Sequence, residues 1–181
     1  MNQVESLGEL VQSERIHRRV LEAADAARFL QFPLGKETIG LLPLERLVEV
    51  IKIAPQEILP IPQVPDYLLG ITNRRGEAVW IVDLLYLMGA THLSQRERIP
   101  EVCMGILVQA EEQVIGLLVE QVSSIEVYHL NNLQLFPPQM LPSELLAFLE
   151  GYFVDSEGNT LALINVDTII EAVENLDSKI L

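Results

Sequence analysis

The chain has 181 residues, nearly half of them apolar, and carries 26 Asp and Glu against 12 Lys and Arg, a formal net charge of -14. That much apolar side chain can bury a sizeable core and excludes a disordered tail. The acidic balance argues against nucleic acid or an anionic membrane surface as partner, since both reward a basic face.

The N-terminal MNQVESLGEL lacks the basic start and apolar stretch of a secretory signal. No apolar run approaches the roughly 18 residues that span a bilayer, so a cytoplasmic protein is expected. Residues 1–25 read as an N-terminal extension. Within it, residues 4–25 carry mixed charge and scattered leucines, and read as a helix that either folds over the body or stays free of it.

Short runs rich in Val, Ile and Leu follow, broken by Gly, Pro and polar turns, at about 27–33, 37–43, 46–53, 67–74 and 77–83. A second series lies at about 102–110, 113–119, 122–129, 149–155 and 160–166. The gaps are mostly too short for crossover helices. The Pro-rich 55-PQEILPIPQVP-65 reads as a linker between strands, and 84-LLYLMG-89 as a turn or two of helix. Finally, 167-DTIIEAVENL-176 places Ile169, Ile170, Val173 and Leu176 on one apolar helix face, with Asp167 or Asn165 as cap.

The second series echoes the first. The pairs are 39-IGLL-42 with 115-IGLL-118, 48-VEV-50 with 125-IEV-127, 60-PIPQVP-65 with 137-PPQMLP-142, 67-YLLG-70 with 148-FLEG-151, and 82-VDLL-85 with 166-VDTI-169. Each match is weak, but five in the same order imply an internal duplication. Five short antiparallel strands leave exposed edges unless they close into a barrel. The expectation is an all-β protein of two five-stranded barrels. Barrel one spans about 26–90, barrel two about 101–166, and a closing helix 167–176.

A catalytic constellation is not legible. His17, His92 and His129 fit no metal spacing, and the motifs of phosphate loops, dinucleotide folds and serine hydrolases do not occur. Cys103, within 102-VCMGILV-108, is the only cysteine; it permits no disulfide inside the chain and reads as a small buried hydrophobe. Asp83 ends an apolar strand as a phosphoacceptor would, but its echo Asp167 favours a duller reading in which both aspartates cap the following helix. No cofactor or metal is expected.

The charge contrast sits in 73-NRRGEA-78, which the duplication pairs with 154-VDSEGNT-160. Both stretches keep a turn glycine, Gly76 and Gly158, but the second has no arginine. Turn geometry therefore does not demand Arg74 or Arg75. A partner carboxylate or backbone carbonyl is the natural reason for them.

Several segments together resemble the CheW-like chemotaxis coupling proteins. They are 29-FLQFPLG-35, the stretch 39–51, 62–76 with its N-x-R-G, 82-VDL-84, 115-IGLLVEQVSSIEV-127 and 150-EGYFVDSEGNTLALINVD-167. The resemblance runs from about residue 28 to 174 and implies two SH3-like barrels without catalysis. It implies an adaptor that binds the cytoplasmic tip of a methyl-accepting chemoreceptor and the regulatory domain of a CheA-type histidine kinase, and that is recruited to membrane receptor arrays. The family's important arginine matches Arg75, after Asn73 and before Gly76. Its receptor-facing strand matches Leu47 to Val50 with Glu49 as the charged residue, and Gly70 falls in the same functional region. One position departs: the family's usual leucine is Arg74 here, which is expected to turn outward or lay its stem along apolar surface. Close variants of this reading are a free-standing regulator competing for the same kinase, or service in a pilus-motility or phototaxis system. A small-ligand-binding barrel is the distant alternative and predicts an enclosed apolar cavity.

Overall fold

The computed structural model describes residues 25–35 and 38–180, so the helix read over 4–25 lies outside the described residues apart from Asp25. Ten strands form among the described residues: β1 Ala26–Pro33, β2 Ile39–Pro43, β3 Leu47–Ile53, β4 Leu68–Arg74, β5 Glu77–Asp83, β6 Cys103–Ala110, β7 Gln113–Val119, β8 Ile125–His129, β9 Leu149–Val154 and β10 Thr160–Ile164. Short helices α1 Leu84–Leu87 and α2 Ser143–Leu146 follow β5 and precede β9, and α3 Val166–Ile180 closes the chain. Each strand lies on a run legible in the sequence, because Val, Ile and Leu favour a pleated, half-buried surface and the intervening Gly and Pro interrupt it.

The strands make two five-stranded sheets, ordered β8-β1-β2-β10-β9 (sheet 1) and β3-β6-β7-β5-β4 (sheet 2). Replacing each strand of one half of the chain by its counterpart in the other converts one order into the other. The duplication is therefore present as a pseudo-two-fold relation. The halves are not the barrels, however. Each half gives its first two strands to one sheet and its last three to the other. The sequential division at about 26–90 and 101–166 is corrected by this exchange. Hydrophobic periodicity fixes which residues alternate along a strand, but not which strand lies beside it. The exchange is sealed by two parallel pairings, β2 with β10 and β5 with β7, amid otherwise antiparallel neighbours.

Both faces of the middle strands are covered. One core lies between the sheets and joins Leu30, Phe32 and Leu42 of sheet 1 to Ile106, Val108 and Leu117 of sheet 2, with Ile169, Ile170 and Val173 of α3 packed among them. Each sheet also curls around a core of its own, Phe29, Leu41 and Phe153 in sheet 1 and Ile53, Ile81 and Leu107 in sheet 2. Two-sided burial explains why 102-VCMGILV-108 reads as a continuous apolar run rather than an alternating one. Burying each large aliphatic side chain contributes roughly 1.5–3 kcal/mol, so α3, with three such residues inserted, is a principal fastening between the sheets.

The words that reveal the duplication are not all structurally equivalent. A Cβ on Gly40 would strike the Phe32 ring in the shared core, whereas one on Gly116 would strike Ile81 and Leu107 in the core of sheet 2. The two IGLL tetrapeptides are thus one residue out of phase, and a one-residue slip in a strand reverses every side chain. The same holds at the strand ends. Asp83 is fully buried; its carboxylate accepts from the N–H of Tyr86 at 3.2 Å and of Leu93 at 3.0 Å, and from Arg96 Nη2 at 2.6 Å. It caps α1 and also fastens the connector between the halves. In the second copy the capping place belongs to Asn165, whose Oδ1 accepts from the Thr168 N–H at 3.1 Å. Asp167 is half exposed and pairs with Arg46 at 2.6 Å, so the reading of both aspartates as caps holds for Asp83 alone.

Candidate partner-binding corner

Sheet 2 has β3 and β4 at its two edges, and curling brings those edges together. Across the seam, Arg74 Nε at the end of β4 donates to Glu49 Oε1 on β3. Arg75 Nη2 reaches Glu49 Oε2 at 3.4 Å. This corner unites Glu49, Arg74 and Arg75, three of the residues singled out in the sequence.

The hairpin that carries the arginines is a two-residue turn, Arg75–Gly76, between paired Arg74 and Glu77. Both turn residues have positive φ, 52° at Arg75 and 92° at Gly76, as tight hairpins of this twist require. Asn73 braces it: its Oδ1 accepts the Gly76 N–H at 3.1 Å. Asparagine or glycine normally fills the Arg75 position, because a side chain there crowds the following carbonyl. Arginine is retained despite that cost. Its side chain is 76% exposed, against 18% for Arg74 and 27% for Glu49.

Electrostatics follow from the pairing. The hydrogen bond from Arg74, helped by the charges of both arginines, holds the Glu49 carboxyl below its ordinary range. The same bond raises Arg74 above its own. Arg74 thus neither turns outward nor merely lies along apolar surface; it spans the seam. The sequence offered no signal for that contact, because 25 residues separate the pair and only the curling of sheet 2 brings its two edge strands together.

The other singled-out residues divide. Leu47 and Val50 are half buried against the shared core and face inward. Between them the β3–β6 register shifts at Leu47/Glu49, and Val48, which the sequence reading passed over, is the outward apolar residue at 40% exposure. Gly70 is buried with φ of 134°, and a Cβ there would lie 2.0 Å from the Leu59 carbonyl oxygen. It lets the linker strand cross β4 at the Leu59–Ile71 bridge, so it shapes the corner from beneath rather than touching anything outside.

The pseudo-two-fold relation supplies an internal control. Gly151 in β9 is crossed in the same way by Gln134, which makes Asp155 the counterpart of Arg74. Val50 pairs with Ile106 as Ile125 pairs with Leu30, which makes Ser124 the counterpart of Glu49. No ionic pair forms there among the described residues. Asp155 instead accepts from Asn159 Nδ2 and from the N–H groups of Glu157 and Asn159, and is held below its ordinary range chiefly by the Asn159 side chain. Sheet 1 closes its seam with rings, Tyr128 stacked on Phe153 at 5.2 Å. The fold therefore needs no ion pair at this place.

Elsewhere the chemistry is quiet. Cys103 is 1% exposed, and burial, then the charge of Glu120, pushes its thiol above the ordinary range, which disfavours the thiolate a nucleophile needs. Among the described residues no group of three His, Cys, Asp or Glu is placed to hold a metal ion, and no helix is long and apolar enough to cross a membrane.

Known proteins share this arrangement. The chemotaxis protein CheW of Treponema pallidum is 27% identical over 140 residues, covering 75% of this chain and 78% of its own length. That of Rhizobium meliloti is 31% identical over 116 residues, covering 64% and 70%. The crystal structure of the scaffolding protein TtCheW from Thermoanaerobacter tengcongensis superposes with a TM-score of 0.66 at 25% identity, over 77% of this chain and 84% of that one. The two curled sheets are accordingly SH3-like barrels. The CheW-like domain family matches residues 28–174, which takes in every strand but the first two residues of β1, and the corner formed by Glu49, Arg74 and Arg75 lies inside a chain that belongs to that family.

Proposed function

We propose that this protein is a non-catalytic adaptor that couples a chemoreceptor-type sensor to a CheA-type histidine kinase in a taxis or motility pathway. Membership of the CheW-like family and the likeness to a scaffolding protein support the adaptor role. The observation that carries the placement of the site is the exposed Arg75, kept in a strained turn beside a paired Glu49, with no ionic counterpart in the other barrel. The receptor's cytoplasmic tip meets this corner, with Arg75, Asn73 and Val48 outermost and the Glu49–Arg74 pair behind them. Leu47, Val50 and Gly70 give the corner its shape. The kinase's regulatory domain, similar in fold, takes a separate surface. Holding two partners at once raises the effective concentration of each near the other, so modest interfaces suffice. The protein works in the cytoplasm at membrane receptor arrays and needs no cofactor.

The test is co-elution of the purified full chain with the CheA-type regulatory domain and a receptor-tip fragment of the same organism, beside Arg75→Glu and Glu49→Arg variants. The expected result is a ternary complex with the wild type, loss of the receptor fragment with Arg75→Glu at an unchanged melting temperature, and loss of it with Glu49→Arg at a lowered one, since that variant also breaks the pair with Arg74. A complex indifferent to both variants would move the receptor site elsewhere. The absence of any complex at low and moderate salt would sink the adaptor reading and favour a different partner.

A further inference from the structure

Glu49 has two carboxylate oxygens and two arginines within reach, but they are unequally served. Oε1 is taken by Arg74 Nε. The Arg75 contact to Oε2, at 3.4 Å, is at the long limit of a hydrogen bond. A guanidinium has five N–H donors in a rigid fork. Arg75 commits one of them weakly, and its side chain is 76% exposed. The turn beneath it is fixed, because Asn73 ties down Gly76 and Arg74 pairs with Glu77 across the hairpin. The result is a pre-positioned, largely unspent fork that matches the two oxygens of a carboxylate.

We infer that Arg74 is a positioning residue for partner recognition: by taking the Glu49 carboxylate it leaves the Arg75 guanidinium to an Asp or Glu side chain on the bound protein. With an apolar residue at position 74, Glu49 has Arg75 as its remaining cation. Arg75 then folds back onto the seam and its fork is occupied. Barrel closure does not require Arg74, since sheet 1 closes with Asp155 and Ser124 at the equivalent places. The inference rests on the adaptor reading for the identity of the bound protein, but its structural half stands apart from it.

The experiment uses the full chain as wild type, Arg74→Leu, Arg74→Lys, Arg75→Ala and the double variant Arg74→Leu/Arg75→Ala, with Arg74→Met in reserve should leucine impair folding. Side-chain NMR of ¹⁵N-arginine protein follows Nε–H exchange without any partner. Calorimetry measures binding to the receptor-tip fragment and to the CheA-type regulatory domain. The expected exchange result is fast Arg75 exchange in the wild type and slowed exchange in Arg74→Leu. For the partner that uses the corner, Arg74→Leu and Arg75→Ala each weaken binding about tenfold, in line with one charged hydrogen-bonded contact. The double variant is no weaker than Arg75→Ala, and Arg74→Lys stays within about twofold of wild type, since a lysine still offers Glu49 a charged donor. The inference is overturned if Arg75 exchange is the same in wild type and Arg74→Leu, or if Arg74→Leu costs as much in the Arg75→Ala background as alone. If the wild type binds neither probe, the adaptor reading falls, while the exchange comparison still decides whether Arg74 governs Arg75.

Discussion

Arg75 holds a backbone conformation that suits other residues better, and this makes its side chain testable apart from its turn. An L-residue with a Cβ in the left-handed region costs on the order of 1 kcal/mol, and asparagine relieves part of that cost. Arg75→Asn should raise stability by roughly 0.5 kcal/mol in chemical denaturation while weakening receptor-fragment binding as severely as Arg75→Ala. A fall in stability would show that the arginine side chain supports the fold. Glu49 gives a pH signature. Its folded carboxyl lies below the ordinary 4.5 because Arg74 donates to the ionised form, so the unfolded chain binds the proton first as pH falls. The Glu49 contribution is present above the unfolded value and is lost as pH drops through the lowered folded one. Urea midpoints of wild type and Glu49→Gln should therefore converge as pH falls below the ordinary carboxylate value. A gap that is constant with pH would mean that the carboxylate gains nothing from its pairing.

At the level of elements, ends and irregularities decide more than interiors do. The strands are where apolar runs place them, yet the outward residue of β3 is Val48 because the register shifts beside it. Helix α3 begins under an Asn165 cap, not under Asp167. Removing a side-chain cap costs about 1 kcal/mol, whereas an exposed ion pair such as Arg46–Asp167 contributes a few tenths. Asn165→Ala should thus destabilise clearly more than Asp167→Ala in matched denaturation curves. The reverse order would restore Asp167 as the cap. Asp83 does more than cap α1: it gathers the N–H groups of Tyr86 and Leu93 and the guanidinium of Arg96 into a fully buried knot that anchors the connector between the halves.

For the whole molecule, strand exchange makes the two halves interdependent. Each half alone owns two strands of one sheet and three of the other, and half of a shared core. Separate fragments 1–94 and 95–181 should each lack cooperative unfolding, and should recover the far-UV and near-UV circular dichroism of the intact chain when mixed. A fragment 1–94 that folds alone into a stable barrel would contradict the exchanged topology. Long-range pairings of this kind also place this protein among slower folders, because loop closure precedes the contacts that reward it.

The sequence by itself determined the number and place of the strands, the closing helix, the duplication, the family, and the hairpin that carries Arg75. These are local properties: alternation, turn residues such as Gly76, and a specific motif at 62–76 are written in neighbouring letters. Only the tertiary structure decided which strands share a sheet, that the IGLL words are out of phase, that Gly70 yields to a crossing strand, and that Arg74 clasps Glu49. Each of these depends on contacts between residues far apart in the chain. Their geometry comes from the closure of a sheet and from two-sided burial, and no periodicity in a single stretch encodes it.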